Sequence, residues 1–175
     1  QPVSSASVTA LQQYLSVFSD GDNVTAARTQ LEAQQKQLAD PAFRAKAEGL
    51  AAVDAGQGSK AVTELQKAVS ANHADSEAVG ALGQAYSQKG DRARAVAQFE
   101  KAIALDPQSD NRGKWDSLLK VNRYWLLIQQ GDNALKANNT TQAERYYQQA
   151  RNIDNTDSYA VLGLGDAAAA RKDND

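Results

Sequence analysis

The chain has 175 residues, with 19 Lys and Arg against 21 Asp and Glu, one histidine and no cysteine. Its formal net charge is −2, and charges of both signs are spread along the chain, which disfavours a nucleic-acid surface because such a surface needs clustered cations. The lack of cysteine excludes disulfides, thiol catalysis and cysteine-based metal sites, and no apolar stretch of the sequence reaches the length of a membrane span.

A pattern of small and apolar residues recurs along the chain with a period of 34 residues. In the clearest copies one register holds a glycine, at Gly49, Gly83, Gly131 and Gly165. Glycine inside a helix costs about 1 kcal/mol relative to alanine, so its recurrence indicates that a second helix approaches closely there. The best copy has the tetratricopeptide repeat (TPR) pattern, Val79-x-x-Leu82-Gly83-x-x-Tyr86 and then Ala95, Phe99, Ala102 and Pro107.

The N-terminal part of the chain, residues 1–113, is predicted to be an array of three repeats. The repeat at 8–41 is degenerate, because Leu15 occupies the glycine register, and we expect its two helices to approach less closely. The repeats at 42–75 and 76–109 fit the pattern well. Asp40 and Asp75 precede their first helices, where an aspartate side chain can cap the free backbone N–H groups.

The period is then interrupted, because Gly131 follows Gly83 by 48 residues instead of 34. The segment 114–123 contains no proline or glycine and keeps helical spacing, so we predict an inserted helix that runs into the first helix of the next repeat. The predicted fold is therefore all-α, a right-handed TPR α-solenoid with one inserted unpaired helix. We expect the insertion to change the direction of the superhelix, as a flexible hinge or as a fixed bend; the alternative is a local excursion.

The C-terminal part, residues 124–175, is predicted to contain the repeat 124–157 and the first helix of a further repeat. That helix has no pairing helix in the sequence, and terminal repeats need a polar cap. We therefore expect this end to fray or to find a neighbour. Together with the absence of methionine, even at position 1, this leads us to expect a piece of a longer protein.

The first helices of the repeats are expected to line a concave groove. Aromatic rings beside amides and carboxylates would suit a sugar chain, and would equally suit an extended peptide or a partner helix; alternatively, Trp125 and Tyr159 only pack between repeats. Counted from the signature glycines, the groove candidates are Lys46, Gln84, Gln88, Trp125, Asp132, Tyr159 and Asp166.

Catalysis has little support in the sequence. The one histidine, His73, falls in a predicted turn between repeats, and without a cysteine no other Ser-His or Cys-His pair can be built. We therefore predict no enzyme, no catalytic residue, no metal site and no cofactor.

Longer stretches resemble a known family, the enterobacterial cellulose synthase operon protein C. They include the segments that begin at Asp40 (DPAFRAKAEGLAAVDAG) and at Lys114 (KWDSLLKVNRYWLLIQQGDNALKANN), and the resemblance covers essentially the whole chain. It implies a periplasmic TPR scaffold that links the cellulose synthase complex to an outer-membrane pore. The implied partners are other subunits of that complex, with the glucan chain as a further candidate, and neither nucleic acid nor direct membrane insertion. The alternative is a generic peptide-binding TPR adaptor.

Overall fold

The computed structural model describes residues 3–174 of the chain, and the side chains of residues 3–172. The predicted segments 1–113 and 124–175 therefore extend beyond it by residues 1–2 and 175. Nine helices and no strand occur within the described range. The helices are α1 Ser5–Val17, α2 Asp22–Ala39, α3 Pro41–Asp54, α4 Gly58–Ala71, α5 Ser76–Gln88, α6 Arg92–Leu105, α7 Arg112–Lys136, α8 Thr140–Ile153 and α9 Ser158–Asn174.

The helices pair in chain order as antiparallel hairpins that stack on one another. The pairs α3–α4, α5–α6 and α7–α8 form hairpins, and each packs against the first helix of the next pair. First helices also touch first helices, since α3 contacts α5, α5 contacts α7 and α7 contacts α9. The predicted all-α repeat architecture is confirmed. The predicted caps are confirmed too, because Asp40 accepts a hydrogen bond from the backbone N–H of Ala42 and Asp75 one from Ala78.

Each hairpin closes through a large side chain that lies over the signature glycine. A Cβ added at Gly131 would lie 2.5 Å from the ring of Tyr147, and one at Gly83 would lie 3.0 Å from the ring of Phe99. Leu65 fills the same position over Gly49. All three large side chains are at most 1% exposed, so the glycine register creates the space that they occupy.

The turn inside each regular repeat has one residue in the left-handed backbone region. These residues are Gly56, Gly90 and Asn138, with φ of 69°, 76° and 57°, and they stand at the same register of three successive repeats. Glycine reaches this region without a steric cost, and asparagine is among the few other residues that visit it routinely. The turn of the degenerate repeat has Gly21 with φ of 104° instead, so its hairpin closes differently.

The insertion is continuous with the first helix of the following repeat and forms the 25-residue helix α7. The partner helix α8 has 14 residues, so it can pair with only about the last half of α7. The first half packs instead on the preceding repeat: Trp115 lies against Gly80, and the side chain of Asn122 donates a hydrogen bond to Ser87 Oγ at 3.0 Å. One helix thus serves two repeats, and the flexibility of the segment stays a prediction.

The first hairpin is attached more loosely than the others. Helix α1 contacts α2 but not α3, in contrast to the first helices of the later repeats. As a result Ala47 and Ala51 on α3 are exposed, while Ala81 and Ala85, at the same registers of α5, are buried. The opening forms the α3 cleft, a cavity of about 610 Å³ that includes Phe43, Lys46 and Leu50.

The last helix is open on the side where a second helix of its repeat would pair. Gly165 stands in the signature register, yet no atom lies within 4 Å of the position of a Cβ there. Val161 is 50% exposed, whereas Val79, at the same register of α5, is fully buried. Whether this end frays or associates stays a prediction.

The first prediction concerns Phe99, the large side chain that lies over Gly83 in the repeat at 76–109. Phe99→Ala should lower the free energy of unfolding by about 3–5 kcal/mol, because it leaves a cavity beside Gly83 that the two helices cannot close. Phe18→Ala is the control, since Phe18 is 51% exposed and its loss should cost much less. Chemical denaturation measures both, and equal losses would show that the register of the repeat is wrong.

The second prediction concerns the seating of α7 on the preceding repeat. Gly80→Ala places a Cβ 2.2 Å from Trp115 Nε1 and should destabilise the protein by about 1–3 kcal/mol through overpacking. Gly113→Ala is the matched control within α7, because no atom lies within 4 Å of its Cβ position. It should be stabilising by roughly 0.5–1 kcal/mol. Thermal or urea denaturation of both variants tests whether the two changes in the free energy of unfolding have opposite signs.

Candidate functional site

The inner surface of the array is built by the first helices of the repeats. A part of it lies between α3, α5 and the first half of α7, and there it forms a groove of about 230 Å³ that includes Asp54, Glu77, Gln84 and Trp115. A second part lies between the last half of α7 and α9, where Trp125 meets Tyr159. Trp125 follows Lys114 by 11 positions on α7, or about 16 Å along the helix axis. The seven predicted residues therefore fall into two groups and do not form one site.

Lys46, on α3, belongs to an ion cluster at the edge of the α3 cleft. Its Nζ lies 2.8 Å from Asp75 Oδ2 and 2.7 Å from Glu77 Oε2. Burial alone would lower the pKa of Lys46, but the hydrogen bonds to the two carboxylates outweigh it and the pKa is raised. For Asp75, burial acts to raise the pKa, and the bonds from Lys46 and the backbone of Ala78 turn the shift downward. The cluster ties α3 to the start of α5, where Asp75 is the cap.

Two other candidates have structural partners. Gln88 Nε2 donates a hydrogen bond to the backbone oxygen of Val53 at 2.8 Å, which joins the ends of α3 and α5. Asp132 accepts a hydrogen bond from the hydroxyl of Tyr147 at 2.7 Å. These hydrogen bonds stabilise the repeats, so the atoms that form them are not available to a ligand.

Trp125 and Tyr159 form an aromatic pair across the last two repeats. Their ring centroids lie 5.1 Å apart at an interplanar angle of 66°, and Tyr124 meets Trp125 edge-on from the other side at 5.2 Å. The guanidinium of Arg92, at the start of α6, lies 5.8 Å from the centre of the Trp125 ring. Trp125 is thus half-buried in packing, while Tyr159 remains 58% exposed. Trp125 thus takes part in packing between repeats, and ligand binding by the pair stays a prediction.

The two remaining candidates are Gln84 and Asp166. Gln84 is half-buried in the wall of the first groove, and Asp166 is exposed on α9, where its charge adds to the field on Tyr147. His73 is exposed in the turn between α4 and α5. Among the side chains of residues 3–172 no group of three His, Cys, Asp or Glu is arranged to hold a metal ion.

Sequence reasoning did not include Trp115 among the candidates. Its indole is 3% exposed and closes the groove between α5 and α7. The signal that could have found it is Gly80, a second glycine three residues before Gly83, since a missing side chain at a groove position indicates that a neighbour fills the space. No comparable signal marks Arg92 as the partner of Trp125.

Two buried tyrosines have raised pKa values. Burial and the neighbouring carboxylate of Asp157 raise the pKa of Tyr124 to about 12. Burial, the hydrogen bond to Asp132 and the charge of Asp166 raise that of Tyr147. The Tyr124 hydroxyl is buried beside the carboxylate of Asp157 and the backbone of Ala160, and both act on its pKa.

The comparisons with known proteins agree with the repeat architecture. The model of the tetratricopeptide repeat matches residues 46–110 and 128–175, and the gap between the two matches falls on the first part of α7. The chain belongs to the tetratricopeptide repeat family. Such repeats indicate a domain for interaction with other proteins. No helix within residues 3–174 combines the length and the apolar character that crossing a membrane requires.

Relatives from two enterobacteria have the name of the family that the sequence resembles. The chain is 75% identical over 163 residues to cellulose synthase operon protein C of Escherichia coli K12 and 76% identical to that of Salmonella typhimurium. Each match covers 93% of this chain and 14% of the relative. The resemblance is confirmed, and the chain corresponds to a small part of these proteins.

The third prediction concerns the buried tyrosines at alkaline pH. In the unfolded chain tyrosine loses its proton near pH 10, while folded Tyr124 keeps it to about 12. Between these values the folded state binds more protons, so the free energy of unfolding should fall as the pH rises. Denaturation from about pH 9 to pH 11.5 should show this fall, and Tyr124→Phe should reduce its slope. Tyr146→Phe, at a half-buried tyrosine, serves as the control.

Proposed function

We propose that the chain is a non-catalytic periplasmic scaffold of bacterial cellulose synthesis and export. Its repeats would bind subunits of the synthase complex and help to link that complex to an outer-membrane pore. The observation that carries the proposal is the match to the two cellulose synthase operon relatives. It leaves out at most 12 of 175 residues, fewer than the 14 that the insertion adds, so at least part of the insertion is shared.

The geometry supports a scaffold that binds proteins in more than one place. The first groove and the α3 cleft are neighbours that share Leu50 and Glu77, and the Trp125–Tyr159 pair lies on the last two repeats. Each combines apolar surface with charged or amide groups at its edge. An extended array of this kind contacts partners through side chains of several repeats. The composition supports the absence of catalysis, because the sequence contains a single histidine and no thiol.

A specific observation also favours the second candidate, a peptide-binding adaptor unrelated to polysaccharide. The α3 cleft has about 610 Å³, an apolar surface that includes Phe43 and Leu50, and the ion cluster of Lys46 at its edge. Such a cleft fits an extended peptide with one apolar side chain and a nearby charge. It does not require a partner from cellulose synthesis.

The fourth prediction separates the two candidates. This chain replaces the corresponding segment of the Escherichia coli relative, with a photo-crosslinking residue at Gln84 in the first groove. Lys101, exposed on α6, is the control position. We expect crosslinks to cellulose synthase subunits from position 84 only, and loss of secreted cellulose when the segment is deleted. The segment should also resist added protease until the outer membrane is permeabilised.

Two results would contradict the scaffold. Normal cellulose secretion without the segment would remove it from the export machinery. Crosslinks only to proteins outside cellulose synthesis would favour the adaptor.

A further inference from the structure

The long helix α7 creates a second cleft that neither the repeat pattern nor the comparisons assign to a ligand. Helix α8 runs antiparallel to the last half of α7, so its end at Ile153 reaches the middle of α7. The first half of α7 continues past that point, and the turn between α8 and α9 therefore lies against its side. The space enclosed there, the corner cleft, has about 270 Å³.

The corner cleft combines an aromatic wall with groups that form hydrogen bonds. Trp125 and Val121 supply the apolar wall, and Lys120, Asp154 and Asp157 supply charges at the edge. Tyr124 also lines it; the residue is 4% exposed, and its hydroxyl is buried beside the carboxylate of Asp157. The ammonium of Lys120 and the carboxylates of Asp154 and Asp157 are therefore the groups that can form hydrogen bonds with a ligand in the cleft.

We infer that the corner cleft, with Trp125 as its wall and Lys120, Asp154 and Asp157 at its edge, is a weak binding subsite for a β-1,4-linked glucan chain. A glucose ring presents C–H groups on its faces and hydroxyls around its rim. The faces pack on an aromatic ring, and the rim takes hydrogen bonds from an ammonium or a hydroxyl and donates them to carboxylates. The inference rests on the proposed function, from which the choice of glucan comes.

The size and the surroundings of the cleft favour a chain over a free small molecule. Pockets for drug-sized ligands begin at about 300 Å³, so this cleft accepts only a sugar unit or two. Next to it the exposed ring of Tyr159, 5.1 Å from Trp125, extends the aromatic surface onto α9. A longer glucan can therefore contact both rings, while each contact stays weak enough for the chain to move on.

The charges around the cleft argue against the other ligand classes. Asp154 and Asp157 repel phosphates and other anions, and Lys120 is close enough to Asp154 to act on its pKa. A partner helix needs a continuous apolar stripe, whereas here carboxylates interrupt the apolar surface of Val121 and Trp125. An uncharged polyol meets neither obstacle.

The fifth prediction uses the two tryptophans of the chain as probe and control. In NMR spectra of the 175-residue chain, cellohexaose should shift the indole N–H signal of Trp125 with a dissociation constant of about 1 mM. The signal of Trp115, which is 3% exposed against Gly80, should stay in place. Laminarihexaose, with β-1,3 linkages, should bind less well, because its rings do not continue in line from the cleft to Tyr159.

Two matched variants test the place of binding. Val121→Arg fills the cleft from a residue that is 51% exposed, and Val17→Arg makes the same change at a residue on α1 that is 74% exposed. Both should fold with unchanged thermal stability. We expect cellohexaose to bind about tenfold more weakly to Val121→Arg, a loss of about 1.4 kcal/mol, and normally to Val17→Arg.

Several results would overturn the inference. They are an unmoved Trp125 signal at about 10 mM cellohexaose, equal shifts of the two indole signals, and unchanged binding to Val121→Arg. If Val121→Arg instead abolished crosslinks to a synthase subunit and cellohexaose bound nowhere, the cleft would be a protein contact. The scaffold function would still stand in each of these cases if the Escherichia coli relative that carries this chain secreted cellulose and formed crosslinks from position 84.

Discussion

The close approach of two helices at a glycine is the constraint on which this structure depends. Gly49, Gly83 and Gly131 lack the side chain that would keep the helices apart, and Leu65, Phe99 and Tyr147 fill the space. Glycine costs helix stability, so the gain must come from the buried side chain that crosses the interface. Tyr147 extends the principle, because its ring also lies 2.4 Å from a Cβ position at Gly163 on the next repeat. The same ring thus closes one hairpin and joins it to its neighbour.

The insertion keeps α7 a continuous helix while it interrupts the 34-residue period of the repeats. Fourteen residues make about four turns at 3.6 residues per turn and advance about 21 Å. They return the helix to within about 40° of its starting face, so α7 can present packing side chains twice, first to the preceding repeat and then to α8. Trp115 and Asn122 serve the first role, and Gly131 serves the second. The corner cleft is a direct result, because the next turn meets the side of a helix that already belongs to another repeat.

The binding surface is limited by what the repeats need for their own stability. Lys46, Gln88 and Asp132 stand at groove registers, and each is bonded to another element of the array. Aromatic side chains share their surface between packing and exposure, as Trp125 and Tyr159 do. A ligand of this protein therefore has to use what remains, namely the clefts between repeats and the exposed edges of rings. This accounts for separate small sites in place of a single deep pocket.

The sequence by itself determined the fold class, the repeat registers, the caps at Asp40 and Asp75 and the helical nature of the insertion. It could do so because glycine periodicity, capping residues and helical spacing are local and depend on neighbours a few residues away. It also indicated, through Leu15, that the first hairpin is less regular. Only the tertiary structure decided which of the seven groove candidates are free. The partners of Lys46, Gln88 and Asp132 come from other helices, and the contact of Arg92 with Trp125 crosses two repeats. The corner cleft likewise depends on where the end of α8 meets α7, which is set by the stacking of repeats and not by any local pattern.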